Sequence, residues 1–356
     1  MASDDISIVD SLKRSRAALT MIQPEPFNAE APPEALAGNI TPTNLHYVRS
    51  NLALPVHDGV LSVDGAVGNP ITLTLDDLRG VEQAVTMECA GNGRLAQAPL
   101  PTGEPWGKYA LSTARWAGAL LHHVLARSQP ADSAVEVVFH GADHGRYHQY
   151  TDIGFARSLT YAHAADPAAE ILIAYEMNGE PLNPDHGAPF RLVVPHWYGV
   201  ASVKWLERVQ VSTEPFSGEL QTGHYMYEWP DRPHEQLTVM RPRACITAPA
   251  PRSTVPAAMY TVRGKAWSGT GPVSKVEVAF TGEGEWHLAK LAAPGGPVHV
   301  AGMVLRLGGE RCRTSHPARP RHRRCREHPT RRARLEPARL RQQRRRSHLR
   351  RRSRLT

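Results

Sequence analysis

Cys89 closes an alternating apolar run, Val85, Met87 and Cys89, and is followed at once by Ala90-Gly91-Asn92-Gly93-Arg94. The alternation predicts a half-buried strand and the two glycines a tight bend after it, which leaves the thiol at a strand end facing a cavity. A thiolate is a soft metal ligand, and a guanidinium five residues on favours both the thiolate and an anionic substrate. The plain alternative is a buried free cysteine packed as a small hydrophobe. Further along, His186 and Arg191 can each donate hydrogen bonds to an anionic, heteroatom-rich ligand, and Lys204 adds a compact charge.

The stretch Glu88-Cys89-Ala90-Gly91-Asn92-Gly93-Arg94 resembles the molybdenum-binding signature of the sulfite oxidase family, which includes the molybdenum domain of assimilatory nitrate reductases. The resemblance recurs in Ala174-Tyr175-Glu176-Met177-Asn178-Gly179-Glu180-Pro181-Leu182, in Asp185-His186-Gly187 with Pro189 and Arg191, and in Val203-Lys204-Trp205-Leu206. These stand in the family's order and cover roughly residues 45–237. The resemblance implies molybdenum-molybdopterin (Moco) as cofactor, with Cys89 as the metal ligand. It implies Arg49, Asn51, Cys89, Asp143, His186, Arg191, Ser202, Val203 and Lys204 as cofactor contacts, and Cys89, Arg49, Arg94 and Tyr225 as the catalytic set. Asp152 competes with Asp143, and Tyr227 with Tyr225. Two positions depart from the family pattern: Asn51, where many relatives have histidine, and His196, where glycine is common.

The implied activity is oxygen-atom transfer, foremost the oxidation of sulfite to sulfate, with nitrate or an S-oxide as the alternative substrate. No haem segment or flavin motif is read in the chain, so electrons would pass to an external acceptor, a cytochrome or oxygen.

The formal net charge of +8 over 356 residues is misleading. From Arg311 on there are 19 Arg, no Lys and two acids, a net +17 that leaves −9 for residues 1–310. An acidic body with an arginine-rich tail raises a different-class alternative, a basic nucleic-acid-binding protein held by phosphate contacts. The tail has no aromatic residue for base stacking, which argues against nucleic acid as a partner. Its Arg-rich, Lys-free composition matches a GC-rich frame shifted by one base, and the spacing of Cys312, His316, His322 and Cys325 is a weak zinc candidate. Cysteines at 89, 245, 312 and 325 form no Cys-x-x-Cys pair, which fits a reducing compartment. With no apolar h-region in Met1–Ser11 and no run near the ~18 apolar residues of a membrane span, the expectation is a cytoplasmic protein without a membrane partner.

The elements that must position these residues read as an α+β chain. Residues 1–44 are an extended, proline-bearing surface segment, and 45–237 are the sulfite-oxidase-type molybdopterin-binding domain. Residues 238–297 are a truncated immunoglobulin-like β-sandwich for dimerisation, giving a homodimer if it folds, and 298–356 are a disordered Arg-rich tail. Leu61–Gly65, Ile71–Leu75, Ile171–Tyr175 and Arg191–Pro195 read as strands. Val135–Phe139 is a strand ending in a His140–Gly145 loop. Trp106, Trp116, Leu120, Leu121 and Val124 are spaced like one face of an amphipathic helix that ends near Ser128.

Overall fold

The computed structural model describes residues 12–13, 15–78, 80–250, 253, 260–279, 286–292 and 300–307. A hairpin of β1 (Thr20–Gln23) and β2 (Asn28–Glu30) leads in. It is more than a surface segment: Asn28, Ala29, Glu30 and Ala31 are buried, and Ala29 bridges to Val48. Then come β3 (Leu61–Gly65), β4 (Ile71–Leu73), β5 (Val81–Glu88), β6 (Leu111–Leu120), helix α1 (Leu121–Ser128), β7 (Glu136–Tyr147), β8 (Tyr150–Thr160) and the one-turn α2 (Tyr161–Ala164). β9 (Leu172–Met177), β10 (Glu180–Pro181), β11 (Arg191–Val193) and β12 (Leu206–Ser212) complete the domain.

Strands β3 to β12 make two sheets. One has the order β4-β3-β12-β7-β8, with β12 parallel to β3 and antiparallel to β7; the other has the order β10-β9-β6-β5, with β11 also on β9. Val63, Val137, Phe139 and Val209 from the first sheet pack with Leu121, Val124 and Leu125 of α1 and Ile173 and Leu192 of the second in one core. Each large side chain buried there stabilises the fold by about 1.5–3 kcal/mol.

The helix expected from Trp106 to Ser128 is corrected: residues 111–120 are strand, and only Leu121–Ser128 is helical. β6 is paired on both edges and covered on most of both faces, so its apolar residues form a near-continuous run that mimics helical spacing. Gly118 is required there, since a Cβ would run into the backbone of Ile173. The His140–Gly145 loop is also corrected, because β7 continues through it to Tyr147 with a register shift between His140 and His144.

After the short pair β13 (Met226–Tyr227) and β14 (Glu235–Gln236), the chain enters a second unit. β15 (Arg243–Ala248) and β16 (Tyr260–Trp267) are followed by the paired β17 (Glu277–Ala279) and β18 (Trp286–Leu288), then by β19 (Lys290–Leu291) and β20 (Val300–Leu307). The four-stranded order is β15-β16-β20-β19. Val300–Leu307, assigned above to the tail, is thus a strand that pairs with β16 from Tyr260↔Leu307 to Trp267↔Val300. Its Met303 is buried with Ala266, Val276, Val278 and Ala289, so the apolar alternation persists ten residues beyond the expected break at 297. The tail from 308 on, with its nucleic-acid and zinc readings, lies outside the described residues, as does Gly282-Glu283-Gly284, whose glycines suggest a hairpin turn before Trp286 in the sequence. Among the described residues no helix is long and apolar enough to cross a membrane.

Candidate active site

Cys89 follows directly on β5 and begins a turn tied down by its own backbone. Its N–H donates to Ala110 O at 2.9 Å, and its carbonyl accepts from Asn92 N at 2.9 Å. Gly93 has φ +82°, the left-handed region that glycine enters without a Cβ clash, and a side chain there would strike the Arg243 guanidinium. A Cβ on Gly91 would lie 2.9 Å from Arg94 Nη1 and from Trp106 Cδ1. The chain bends tightly here because nothing larger fits.

The residue before Cys89 anchors the turn to the second unit. Glu88 is fully buried, and its Oε2 accepts from Trp267 Nε1 at 2.7 Å while Oε1 accepts from Asn92 Nδ2 at 3.0 Å and pairs with Arg243 Nη1 at 3.1 Å. Arg243 Nη1 also donates to Asn92 O. Burial pushes the Glu88 carboxyl up, and Arg243, Trp267 and Asn92 pull against it. A buried carboxylate is tolerated only when paired in this way.

Cys89 lines a cavity enclosing about 660 Å³ of space between protein atoms, its open mouth included, together with Arg49, Asn51, Asp143, His186, Arg191, Ser202, Lys204 and Tyr225. Of the residues singled out in the sequence, Arg94 and Val203 do not line it. Val203 is buried in the core between the sheets, and only its neighbours Ser202 and Lys204 face the cavity. Arg94 Nη1 instead donates to Glu104 O at 2.7 Å. Asp143 is the acid in the cavity, whereas Asp152 is exposed beside His144 at 3.2 Å. Tyr225 lines it, while Tyr227 contacts Tyr198 and Arg241.

Arg49 is wedged beside Cys89. It donates to Ser50 O, to Asn28 Oδ1 at 3.3 Å and to Tyr225 Oη at 3.4 Å, and pairs with Glu104 at 3.1 Å. Burial disfavours its charge, but Tyr225, Glu104 and Cys89 outweigh that and hold it protonated above its usual range. Burial pushes the Cys89 thiol up, and Arg49 opposes that most strongly. Asn51 shares hydrogen bonds with Tyr225, at 3.0 Å from Nδ2 and 3.1 Å at Oδ1, and so braces the tyrosine. His196 sits at φ +70°, which explains why glycine suits this position.

At the far end Arg191 Nη1 donates to His186 O at 3.0 Å and Nη2 to Ser202 O at 3.1 Å; burial pushes its guanidinium down to about 10. Lys204 Nζ donates to Ser50 Oγ at 2.8 Å and Asp185 O at 3.0 Å, and burial beside Arg191 lowers it. Burial likewise pushes Asp143 upward. His186 Nε2 lies 3.2 Å from Thr43 O, which can only accept, so Nε2 carries the proton and spends it on the backbone. Burial with Arg191 and Lys204 pushes this ring down to about 3, leaving a neutral imidazole whose Nδ1 is an acceptor.

Sequence reasoning missed His46, Tyr47, Ser50 and Trp205 as lining residues, and Glu104 and Asn28 as partners of Arg49. Asp185 was read within its motif but not as the partner of Arg16, which it binds at 2.6 Å.

The cavity joins a soft thiol to an excess of buried cations, and Arg191 Nε and Asp143 Oδ1 have no hydrogen-bond partner among protein atoms. That donor set suits an anionic, sulfur- and nitrogen-rich group held through a metal, and so it fits molybdopterin. Residues 52–220 match the model of the oxidoreductase molybdopterin binding domain, and residues 235–307 match that of the Mo-co oxidoreductase dimerisation domain. Fold and site thus define a molybdopterin-binding domain of the oxidoreductase class joined to a Mo-co dimerisation domain.

Within that class the chain belongs to the sulfite oxidase family. It is 39% identical to the mitochondrial sulfite oxidase of Homo sapiens over 295 residues, 77% of this chain and 53% of that protein. It is 34% identical over 322 residues to the nitrate reductase [NAD(P)H] of Hordeum vulgare, 80% of this chain and 36% of that protein. Among solved structures it resembles the sulfane dehydrogenase SoxCD from Paracoccus pantotrophus, with a TM-score of 0.69 and 26% identity over 81% of this chain and 74% of that one. The chain spans about half the length of the mammalian sulfite oxidases it matches.

Proposed function

We propose that the chain oxidises sulfite to sulfate by oxygen-atom transfer and passes the electrons to a separate acceptor, a cytochrome or oxygen. The observation that carries this reading is Arg49, which lines the same cavity as Cys89 and is held charged there, in a chain whose residues 1–310 carry a net charge of −9. Such a group binds an oxyanion and stays charged at any working pH. The bound Moco supplies the two-electron redox chemistry. Cys89 is proposed to ligate molybdenum; Arg191, Lys204, Ser202, Asp143 and His186 to hold the pterin and its phosphate; Arg49 and Tyr225, braced by Asn51, to orient the substrate. Arg94 does not line the cavity and would act from beyond its wall, beside Glu104. The unit at 235–307 is proposed to mediate a homodimer, and the free, buried Cys89 and Cys245 support a cytoplasmic setting.

Sulfite-dependent reduction of ferricyanide by the molybdenum-loaded protein tests the substrate. The similarity to a nitrate reductase favours nitrate as the second reading, tested by oxidation of reduced viologen. Nitrate turnover without sulfite turnover overturns the sulfite assignment.

A further inference from the structure

Glu104 lies on an irregular stretch between the Cys89 turn and β6. Its carboxylate reaches both arginines that the family resemblance assigns to the substrate: Oε1 is 3.1 Å from Arg49 Nη2, and Oε2 is 3.8 Å from Arg94 Nη1. It does not line the cavity itself, and about a fifth of its side chain is exposed. We propose that Glu104 is a specificity-determining residue whose carboxylate occupies the oxyanion seat between Arg49 and Arg94, so that a substrate binds by displacing it.

A carboxylate presents two equivalent oxygens in one plane, the pattern a guanidinium recognises in any small oxyanion. In the closed arrangement the tethered anion therefore competes for the same donors as sulfite or sulfate. An anion can compete with this tethered group, whereas a neutral S-oxide cannot replace its charge. The displacing motion is a swing of one partly exposed side chain. The backbone can stay in place, since Arg94 is held by the Glu104 carbonyl rather than by its carboxylate.

The inference rests on the oxyanion reading of the same site, and sulfate, a redox-inert oxyanion, separates the two. Calorimetric titration of sulfate into the molybdenum-loaded enzyme is compared for wild type, Glu104→Gln, Glu104→Ala and Arg49→Gln. Both Glu104 variants are expected to bind sulfate about tenfold tighter than wild type and to lower KM for sulfite more than they change kcat. Arg49→Gln is expected to weaken sulfate binding. Glu104 variants that keep the wild-type melting temperature but bind sulfate no more tightly overturn the inference, as does sulfate bound by none of the four proteins. Tighter sulfate binding by Glu104→Gln in an enzyme that does not oxidise sulfite leaves the displacement standing and overturns the substrate assignment.

Discussion

Glu88→Ala is the sharpest test of how the fold holds its thiol. The substitution removes the shared acceptor of Trp267 Nε1, Asn92 Nδ2 and the Arg243 guanidinium, and leaves the first two with no alternative partner in the structure. Arg243 is about a third exposed and can turn to water, so the cost is carried by the two stranded buried donors and the weakened ion pair, together about 3–5 kcal/mol. At roughly 2 °C per kcal/mol for a chain of this size, the melting temperature should fall by about 6–10 °C. Glu88→Gln keeps the shape and one acceptor but turns an N–H towards a donor, so it should cost about 1.5–3 kcal/mol and fall between wild type and alanine.

The second readout is local. Cys89 is 6% exposed, and its turn is held by Asn92, which Glu88 and Arg243 both grip. In cofactor-free Glu88→Ala the thiol should react with a disulfide reagent under native conditions much faster than in wild type. A melting temperature within a degree of wild type, or glutamine more damaging than alanine, refutes the reasoning. Unchanged thiol reactivity refutes the link between the second unit and the turn.

Cys89→Ser should abolish turnover while retaining much of the pterin, measured by fluorescence after release, because Arg191 and Lys204 reach the cavity independently of the thiol. Arg49→Gln should lower sulfite kcat/KM by roughly ten- to over a hundredfold, and Arg94→Gln by less, since that guanidinium is already bonded to Glu104 O. His186 titrates near 3 folded against 6.5 unfolded, so between these values the unfolded chain binds more protons and stability is lost as pH falls. It should account for about 2 kcal/mol lost between pH 7 and pH 5, and His186→Gln in cofactor-free protein should flatten that slope in urea titrations. Truncation after Leu307 should leave the melting temperature unchanged, whereas truncation before residue 298 removes the strand paired along β16 and should lower it.

Legibility in the sequence followed the range of the interaction. Cys89, His186 and Arg191 could be read because the turn glycines, the loop and the strand that place them are their neighbours in the chain. The strand at 111–120 was misread because pairing on both edges and cover on both faces erase the period-two signal that a half-exposed strand shows. β20 was missed for a related reason: only Met303 of residues 300–305 is fully buried, and its partners come from β16, β17 and the loop before β19.

What no local reading reaches is the charge bookkeeping of the site. The carboxylate that fixes the Cys89 turn has its partners other than Asn92 far along the chain, Arg243 at 155 residues (243 − 88) and Trp267 at 179. The carboxylate that faces the two arginines lies in a stretch with no regular structure to announce it. The two pairs differ in which partner is buried: Glu88 is fully buried and needs the partly exposed Arg243 as its counter-ion, whereas Arg49 is the less exposed member of its pair. Arg243 is structural because its anion cannot leave. Arg49, faced by a Glu104 that solvent can reach, is positioned to exchange its anion for a substrate, and the difference in exposure between the two carboxylates, none against about a fifth, separates an anchor from a seat.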